Sequence, residues 1–270
     1  MYFLKSIIDI CIIIFLIRLL ISSRESYFNP IYRIIYRITD TLLMPSRYLI
    51  RDDTKGVFIN ICALVVIRGL VYISIRPMPF ISGVGISLLN FFQLLFRGYM
   101  VLLIIDVLSQ DGIGTILMDI TKRAFYPLNK ISRRFGVSRR YFHLFSFLFL
   151  WVLYALSSFL ISNAIISKTS TYSFSLLHGL GEGMMLILGL FPNFFSIVII
   201  IGALLSWVSP DPYNPVVQAI YGISEPLLRP FRRFVPLLGG LDISPIFALL
   251  CFQILGRLGQ QLISGFMRIV

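Results

Sequence analysis

The residue types that covalent or metal chemistry needs are few and scattered in this chain. His143 and His178 stand far apart, on segments expected on opposite sides of a membrane, so a shared metal site is not expected. Cys11, Cys62 and Cys251 each sit inside an apolar run without CxxC spacing and read as small apolar side chains. Gly181 and Gly183 flank Glu182 without the lysine of a phosphate loop, so they receive no nucleotide role. No Ser/His/Asp arrangement and no paired carboxylates stand out. The expectation is a non-enzymatic protein with no catalytic residues, cofactor or metal. The chemistry left is electrostatic: Asp9, Arg68, Arg97, Gln253, Arg257 and Gln260 lie within apolar runs, where polar groups are costly and become functional candidates by default.

Depth arithmetic pairs two of them. Asp9 lies about thirteen residues, and Arg68 about eleven, from the inner ends of their runs, the same depth within a few ångström at a helical rise of about 1.5 Å per residue. An ion pair is expected, with Lys5 as a rival partner for Asp9. Arg97 and Arg257 lie at similar depth without an obvious acid, unless Glu182 folds inward to serve. Gln253, Arg257, Gln260 and Ser264 are spaced four, three and four apart and share one helical face. That face suits hydrogen bonds between helices, or else the lining of a water or ion path.

The elements that position these residues must be membrane helices. The chain is 57% hydrophobic and only 13% charged, with a mean hydropathy of +0.88. Soluble domains carry about 25% charged residues. Six stretches are long and apolar enough to span: Phe3–Ser22, Val57–Ile75, Ile86–Leu108, Tyr141–Ile165, Met184–Val208 and Pro245–Ser264. The first is read as an uncleaved span, because Arg18 interrupts it and no small-residue cleavage site follows. Pro192 breaks the fifth, leaving open whether residues 173–190 form a separate outer helix. Connections between spans one and two, three and four, and five and six hold sixteen basic residues, whereas the others hold only Arg76 and Lys168. Basic loops are retained in the cytoplasm, which puts both termini on the outer side of the membrane. The net charge of +12 is thus assigned to topology and anionic lipid headgroups, and no nucleic acid is expected as a partner.

One cytoplasmic segment is written more than once. Residues 29–47, NPIYRIIYRITDTLLMPSR, align without a gap on residues 214–232, with nine of nineteen positions identical. Residues 120–130, ITKRAFYPLNK, align more weakly on residues 223–233, and the flanking order of span, basic amphipathic piece and span agrees. The expected architecture is all-α: about six transmembrane helices in three parallel hairpin repeats, 1–78, 79–170 and 171–270, each with a cytoplasmic amphipathic interfacial helix. Asn29 and Asn214 are placed to cap these helices, with Pro30 and Pro215 in the first turn. Pro226 and Pro230 are expected to kink or end the last one near Glu225. Gly239-Gly240 then gives a tight turn, and Ser244-Pro245 repeats the cap pattern.

The run LSWVSPDPYNPVVQAIYGISEPLLRPFRRFVPLLGGLDISP resembles the YggT family of bacterial and plastid membrane proteins. The resemblance rests on Trp207, Asn214, Pro215, Glu225, Pro226, Leu227, Leu228, Pro230, Arg232, Arg233, Pro236, Gly239, Gly240, Asp242, Ser244 and Pro245. The first third resembles the family more loosely and has Asp52, Asp53 and Thr54 where the GGLDxSP element would stand. The resemblance implies a small multi-pass membrane protein without established catalysis, linked to osmotic or ion tolerance and, in plastids, to cytochrome-complex assembly and nucleoid distribution. The functional expectation is a membrane scaffold or assembly factor. Its interfacial helices would contact lipid, a membrane-protein partner or another copy of the chain, through Asn214, Pro215, Glu225, Pro226, Pro230, Arg232, Arg233, Gly239, Gly240 and Asp242. The alternative is a channel or transport-related protein using the polar face of the sixth span.

Overall fold

The computed structural model describes residues 2–21, 30–47, 52–75, 77–108, 115–166, 175–208, 211, 213–235 and 242–268. Asn29, Gly239 and Gly240 lie outside them. Ten α-helices occur among the described residues: α1 (Tyr2–Leu20), α2 (Pro30–Arg47), α3 (Asp53–Ile75), α4 (Phe80–Leu108), α5 (Thr115–Arg134), α6 (Phe142–Ile161), α7 (Leu176–Leu188), α8 (Ser196–Val208), α9 (Pro215–Arg232) and α10 (Ser244–Met267). No strand occurs among these residues. A bilayer core offers no water to unpaired backbone groups, so an apolar chain must satisfy them within helices or a closed barrel.

Among the described residues, five helical stretches are long and apolar enough to cross a membrane: Asp53–Ile75, Phe80–Leu108, Arg139–Ile165, Leu176–Ser206 and Ser244–Met267. The expected first span is not among them. The first stretch, α1, is 19 residues long but carries Lys5, Asp9 and Arg18, more charge than free insertion of an isolated helix tolerates. The side chains show what surrounds the helices. On α6, Leu144, Leu148, Val152, Leu156 and Leu160 are all exposed, one turn apart. A five-residue apolar stripe facing outward is stable in lipid and an aggregation surface in water.

The chain forms two compact units, Met1–Phe92 with Leu160–Phe174, and Gln93–Phe159 with Ser175–Val270. In the first, α1, α2 and α3 pack on one another around Phe15, Leu43, Val57 and Ile61. In the second, α8, α9 and α10 pack on one another, and α7 packs on α10. Its core includes Phe96, Met100, Phe125, Tyr154, Phe195, Leu228 and Ala248.

Two local expectations change. The stretch around Pro192 is one helical path, Leu176–Ser206, with a wide π turn at Phe191–Phe195. Residues 176–188 therefore form the first part of that stretch and not a detached helix. Proline supplies no N–H, and the wider turn re-satisfies the ladder: Phe195 N–H donates to Leu190 O at 3.0 Å, five residues back. The Asn193 amide and the Ser196 hydroxyl donate to the Gly189 and Phe191 carbonyls at 2.7 and 2.9 Å. Likewise α9 does not end at Glu225 but runs through Pro226 and Pro230 to Arg232. By helical spacing both prolines lie opposite the buried Val217, Ser224 and Leu228. The carbonyls they leave without donors thus open on the polar side.

Candidate functional site

The candidate site lies on the last basic helix, α9. Asn214 begins α9, and its side chain accepts the Val216 N–H at 2.9 Å, ahead of Pro215 in the first turn. One face of α9 packs on α8 and α10 through Val217, Ser224, Leu227 and Leu228. At its end Arg232 reaches two acids. Its guanidinium donates to Asp242 at 2.7 Å and to Glu225. These three sit apart in the sequence motif, and Arg232 gathers them into one cluster.

Asp242 also starts the next helix. Its carboxylate accepts the Ser244 N–H at 2.9 Å and the Ser244 hydroxyl. The carboxylate serving the helix start is therefore Asp242, one residue before the N-cap position Ile243, and not Ser244, which already lies in the first turn of α10. The same turn is made at Asp52, which accepts the Thr54 N–H at 2.9 Å where α3 begins. The D-x-S/T pattern was the signal that could have shown this, and residue-for-residue alignment hid it because the last connection is longer.

Burial raises the Asp242 carboxyl, but the Ser244 hydroxyl, the Arg232 guanidinium and the Ser244 N–H outweigh it and hold the carboxyl below its ordinary value. A depressed carboxylate stabilises the fold above its unfolded pKa of about 3.9, and that stabilisation is lost as pH falls through the folded value. The α9–α10 tie should therefore loosen below about pH 4. Asp242→Asn should remove that acid dependence at a cost of about 1 kcal/mol or less, since Arg232 remains solvated. Thermal unfolding of both proteins between about pH 3 and pH 6 checks this, spanning the ordinary carboxylate range.

Between α8, α9 and α10 lies a cavity of about 690 Å³. Ile200, Leu204, Leu228, Ile246 and Leu249 line it with Tyr221, Ser206, Glu225, Arg232 and Asp242. Ser224 lines it too, fully buried, and its hydroxyl has no hydrogen-bond partner among the described residues. The residues aligned with Ser224 behave otherwise. Thr39 and Thr121 are as deeply buried, but their hydroxyls donate to the Ile35 and Met118 carbonyls of their own helices at 2.7 and 2.9 Å.

The intramembrane candidates divide. Arg68, 1% exposed, pairs with Asp9, and its Nε donates to the Ser87 hydroxyl at 3.0 Å. Ser87 donates in turn to Val65 O at 2.6 Å. Lys5 lies instead over the Tyr72 ring, 5.6 Å from its centre. Gln253 and Gln260 on α10 donate to Pro192 O and Met185 O at 2.8 and 3.0 Å. Arg257, on the flank of that face, is exposed. Arg97 is exposed as well and is not matched by Glu182, whose oxygens accept from Gln93 and Ser158.

Two groupings escaped the sequence reading. Arg18 is 4% exposed and holds three helices: it pairs with Asp40 of α2 at 2.9 Å, faces Asp53 of α3 at 3.6 Å, and covers the Tyr36 ring at 4.2 Å. The signal was Asp40, which aligns with Glu225; each acid has an arginine partner. His143 bonds Asp106 at 2.9 Å. No cluster of three His, Cys, Asp or Glu that could hold a metal occurs among the described residues.

The family model described as CCB3/YggT matches residues 182–263. An uncharacterized protein of Pseudomonas aeruginosa is 51% identical over 69 residues, 26% of this chain and 35% of the relative. The uncharacterized protein YggT of Escherichia coli K12 is 33% identical over 76 residues, 25% of this chain and 40% of the relative. YlmG homolog protein 2, chloroplastic, of Arabidopsis thaliana is 37% identical over 60 residues, 22% of this chain and 24% of the relative. Each match thus spans less than half of the relative's own length. No solved structure matches. The matched residues hold the end of α7 from Glu182, the π turn, α8, α9 and most of α10, and over them the chain is similar to the CCB3/YggT family.

Proposed function

We propose that this chain is a non-enzymatic inner-membrane scaffold or assembly factor, and that the polar face of α9 is its partner surface. The observation that carries this reading is the division of labour among the α9 arginines. Arg232 is engaged with Glu225 and Asp242, whereas Arg229 and Arg233 are exposed and make no ion pair among the described residues. Phe234, 85% exposed, follows directly. Cations beside an exposed aromatic at a membrane surface suit an acidic protein segment or an anionic headgroup.

The architecture proposed with it is three modules of span, interfacial helix and span, with α1 as the first span, basic helices on the cytoplasmic side and termini outside. The three aligned hydroxyl positions, Thr39, Thr121 and Ser224, are all fully buried, as are the aligned Leu43, Phe125 and Leu228. Those parallels, and the shared turn at Asp52 and Asp242, support a common module. Two of the three charges of α1 are also matched within its unit, Asp9 by Arg68 and Arg18 by Asp40, which lowers the cost of insertion. The competing transport reading needs a polar path along α10. It is weakened because Gln253 and Gln260 are spent on carbonyls of the neighbouring helix.

The test separates partner binding from folding. Reversing Arg229 and Arg233 to glutamate should reduce crosslinking to membrane partners at least about tenfold, a loss of about 1.4 kcal/mol, while thermal stability stays within about 0.5 kcal/mol, as for exposed substitutions. Unchanged crosslinking of the doubly reversed protein would count against the surface.

A further inference from the structure

Glu182 is an acid within the helical path Leu176–Ser206, about 9 Å from its start at a rise of about 1.5 Å per residue. It makes no ion pair among the described residues. Its two oxygens are held apart by neutral donors instead, the Gln93 amide at 2.8 Å and the Ser158 hydroxyl at 3.0 Å. A third group faces the same carboxylate: the Tyr154 hydroxyl, on a side chain 3% exposed, which lies beside Glu182, Gln93 and Ser158 and completes no hydrogen-bond geometry among the described residues. Tyr154 cannot easily swing away, because its ring stacks on Phe96 at 4.8 Å.

The backbone brings these groups together. A Cβ on Gly179 would lie 2.8 Å from the Ala155 carbonyl, and one on Gly183 would lie 2.8 Å from Trp151. Two glycines four apart thus let α7 close on α6 with nothing between, and Glu182 follows them onto Tyr154 and Ser158. Trp151 fixes the register by donating to Leu180 O at 2.9 Å.

We propose that Glu182, Tyr154, Ser158 and Gln93 form a binding site for a monovalent cation of the sodium type. The donors are all hard oxygens: two from the carboxylate, one from each hydroxyl, and one from the Gln93 amide after it turns over. A single carboxylate balances a single positive charge, whereas divalent sites usually gather several carboxylates. The cation supplies the charge that this acid otherwise lacks at a depth where an unpaired ion is costly. The site is separate from the α9 surface, so either proposal can fail without the other.

Trp151 reports on it directly. In a Trp207→Phe background, Trp151 is the sole tryptophan left. Purified protein in lipid nanodiscs is titrated with sodium chloride against choline chloride at constant ionic strength and pH, reading tryptophan fluorescence, with ²²Na⁺ binding measured in parallel. The expected result is a saturable sodium response in both. Glu182→Gln should weaken it at least about tenfold. Tyr154→Phe, which keeps the ring stacked on Phe96, should weaken it several-fold without changing the size-exclusion profile. The proposal is overturned by a linear response, by equal affinity in Glu182→Gln, or by a signal that follows pH and ignores sodium.

Discussion

Asp9→Asn should destabilise the first unit by about 3–5 kcal/mol, the usual cost of removing one partner from a buried pair. The size of the effect comes from Arg68. Its guanidinium is 1% exposed, and Ser87 offers it only neutral acceptors, a hydroxyl and a carbonyl. Without Asp9 a full positive charge is left inside the unit with no counter-charge among the described residues. Replacing both members, Asp9→Leu with Arg68→Leu, should be much milder than Asp9→Asn alone, because the buried charge goes with its partner. Ser87 remains satisfied in the double variant, since its hydroxyl already donates to Val65 O. Steric-trapping or denaturant titrations in mild detergent distinguish the cases. A single variant no worse than the double one would mean that the pair is solvated and the depth argument wrong.

That pair was legible because depth in a membrane helix is a linear function of residue number. Two residues on neighbouring spans can be compared by counting, and Asp9 and Arg68 came out level. Rotation about the helix is harder to count. Glu182 is an acid for Arg97 or Arg257 only if its segment folds inward, yet Arg97 is exposed and Glu182 faces Gln93 and Ser158. Which way a lone polar residue turns depends on close packing elsewhere, here on Gly179 and Gly183 against α6, and single-sequence periodicity does not record that. Arg18 was hidden for another reason. It sits at the end of an apolar run, where an arginine reads as a boundary, but Asp40 and Asp53 approach it from two later helices.

The amphipathic helices were visible in both pattern and length. The proline rule misled only at the end of α9. A proline removes one donor and disfavours helix in the residue before it, and both costs are smaller where the freed carbonyl faces the polar side. Pro226 and Pro230, four apart, place both freed carbonyls on that side. Pro192 lies within an apolar stretch, and side-chain donors gather on the carbonyls around it: Asn193 on Gly189 O, Ser196 on Phe191 O and, from α10, Gln253 on Pro192 O. The sequence reading saw the polar face of α10 and the break at Pro192 as separate facts. They are two halves of one contact.

Gly256→Val is the substitution that should break that contact. Gly256 lies between Gln253 and Gln260 on the face that meets α7 and the π turn. A Cβ there would stand 2.6 and 2.9 Å from the Pro192 ring carbons and 3.2 Å from the Leu188 carbonyl. A proline ring and a backbone oxygen cannot rotate aside, so α10 must move away. Overpacking of this kind costs about 1–3 kcal/mol. Outward movement also stretches both glutamine bonds, each worth about 0.6 kcal/mol between membrane helices and more where the carbonyl has lost its donor. The expected loss is therefore about 3 kcal/mol, the upper end of what overpacking alone would give. Gln253→Leu with Gln260→Leu removes the bonds without the clash and should cost about 1–2 kcal/mol. Gly256→Val added to that pair should then cost less than it does alone, because the bonds it would break are already gone. Thermal unfolding of the four proteins in detergent closes this cycle. Additive losses would mean that the glycine and the glutamines serve separate contacts.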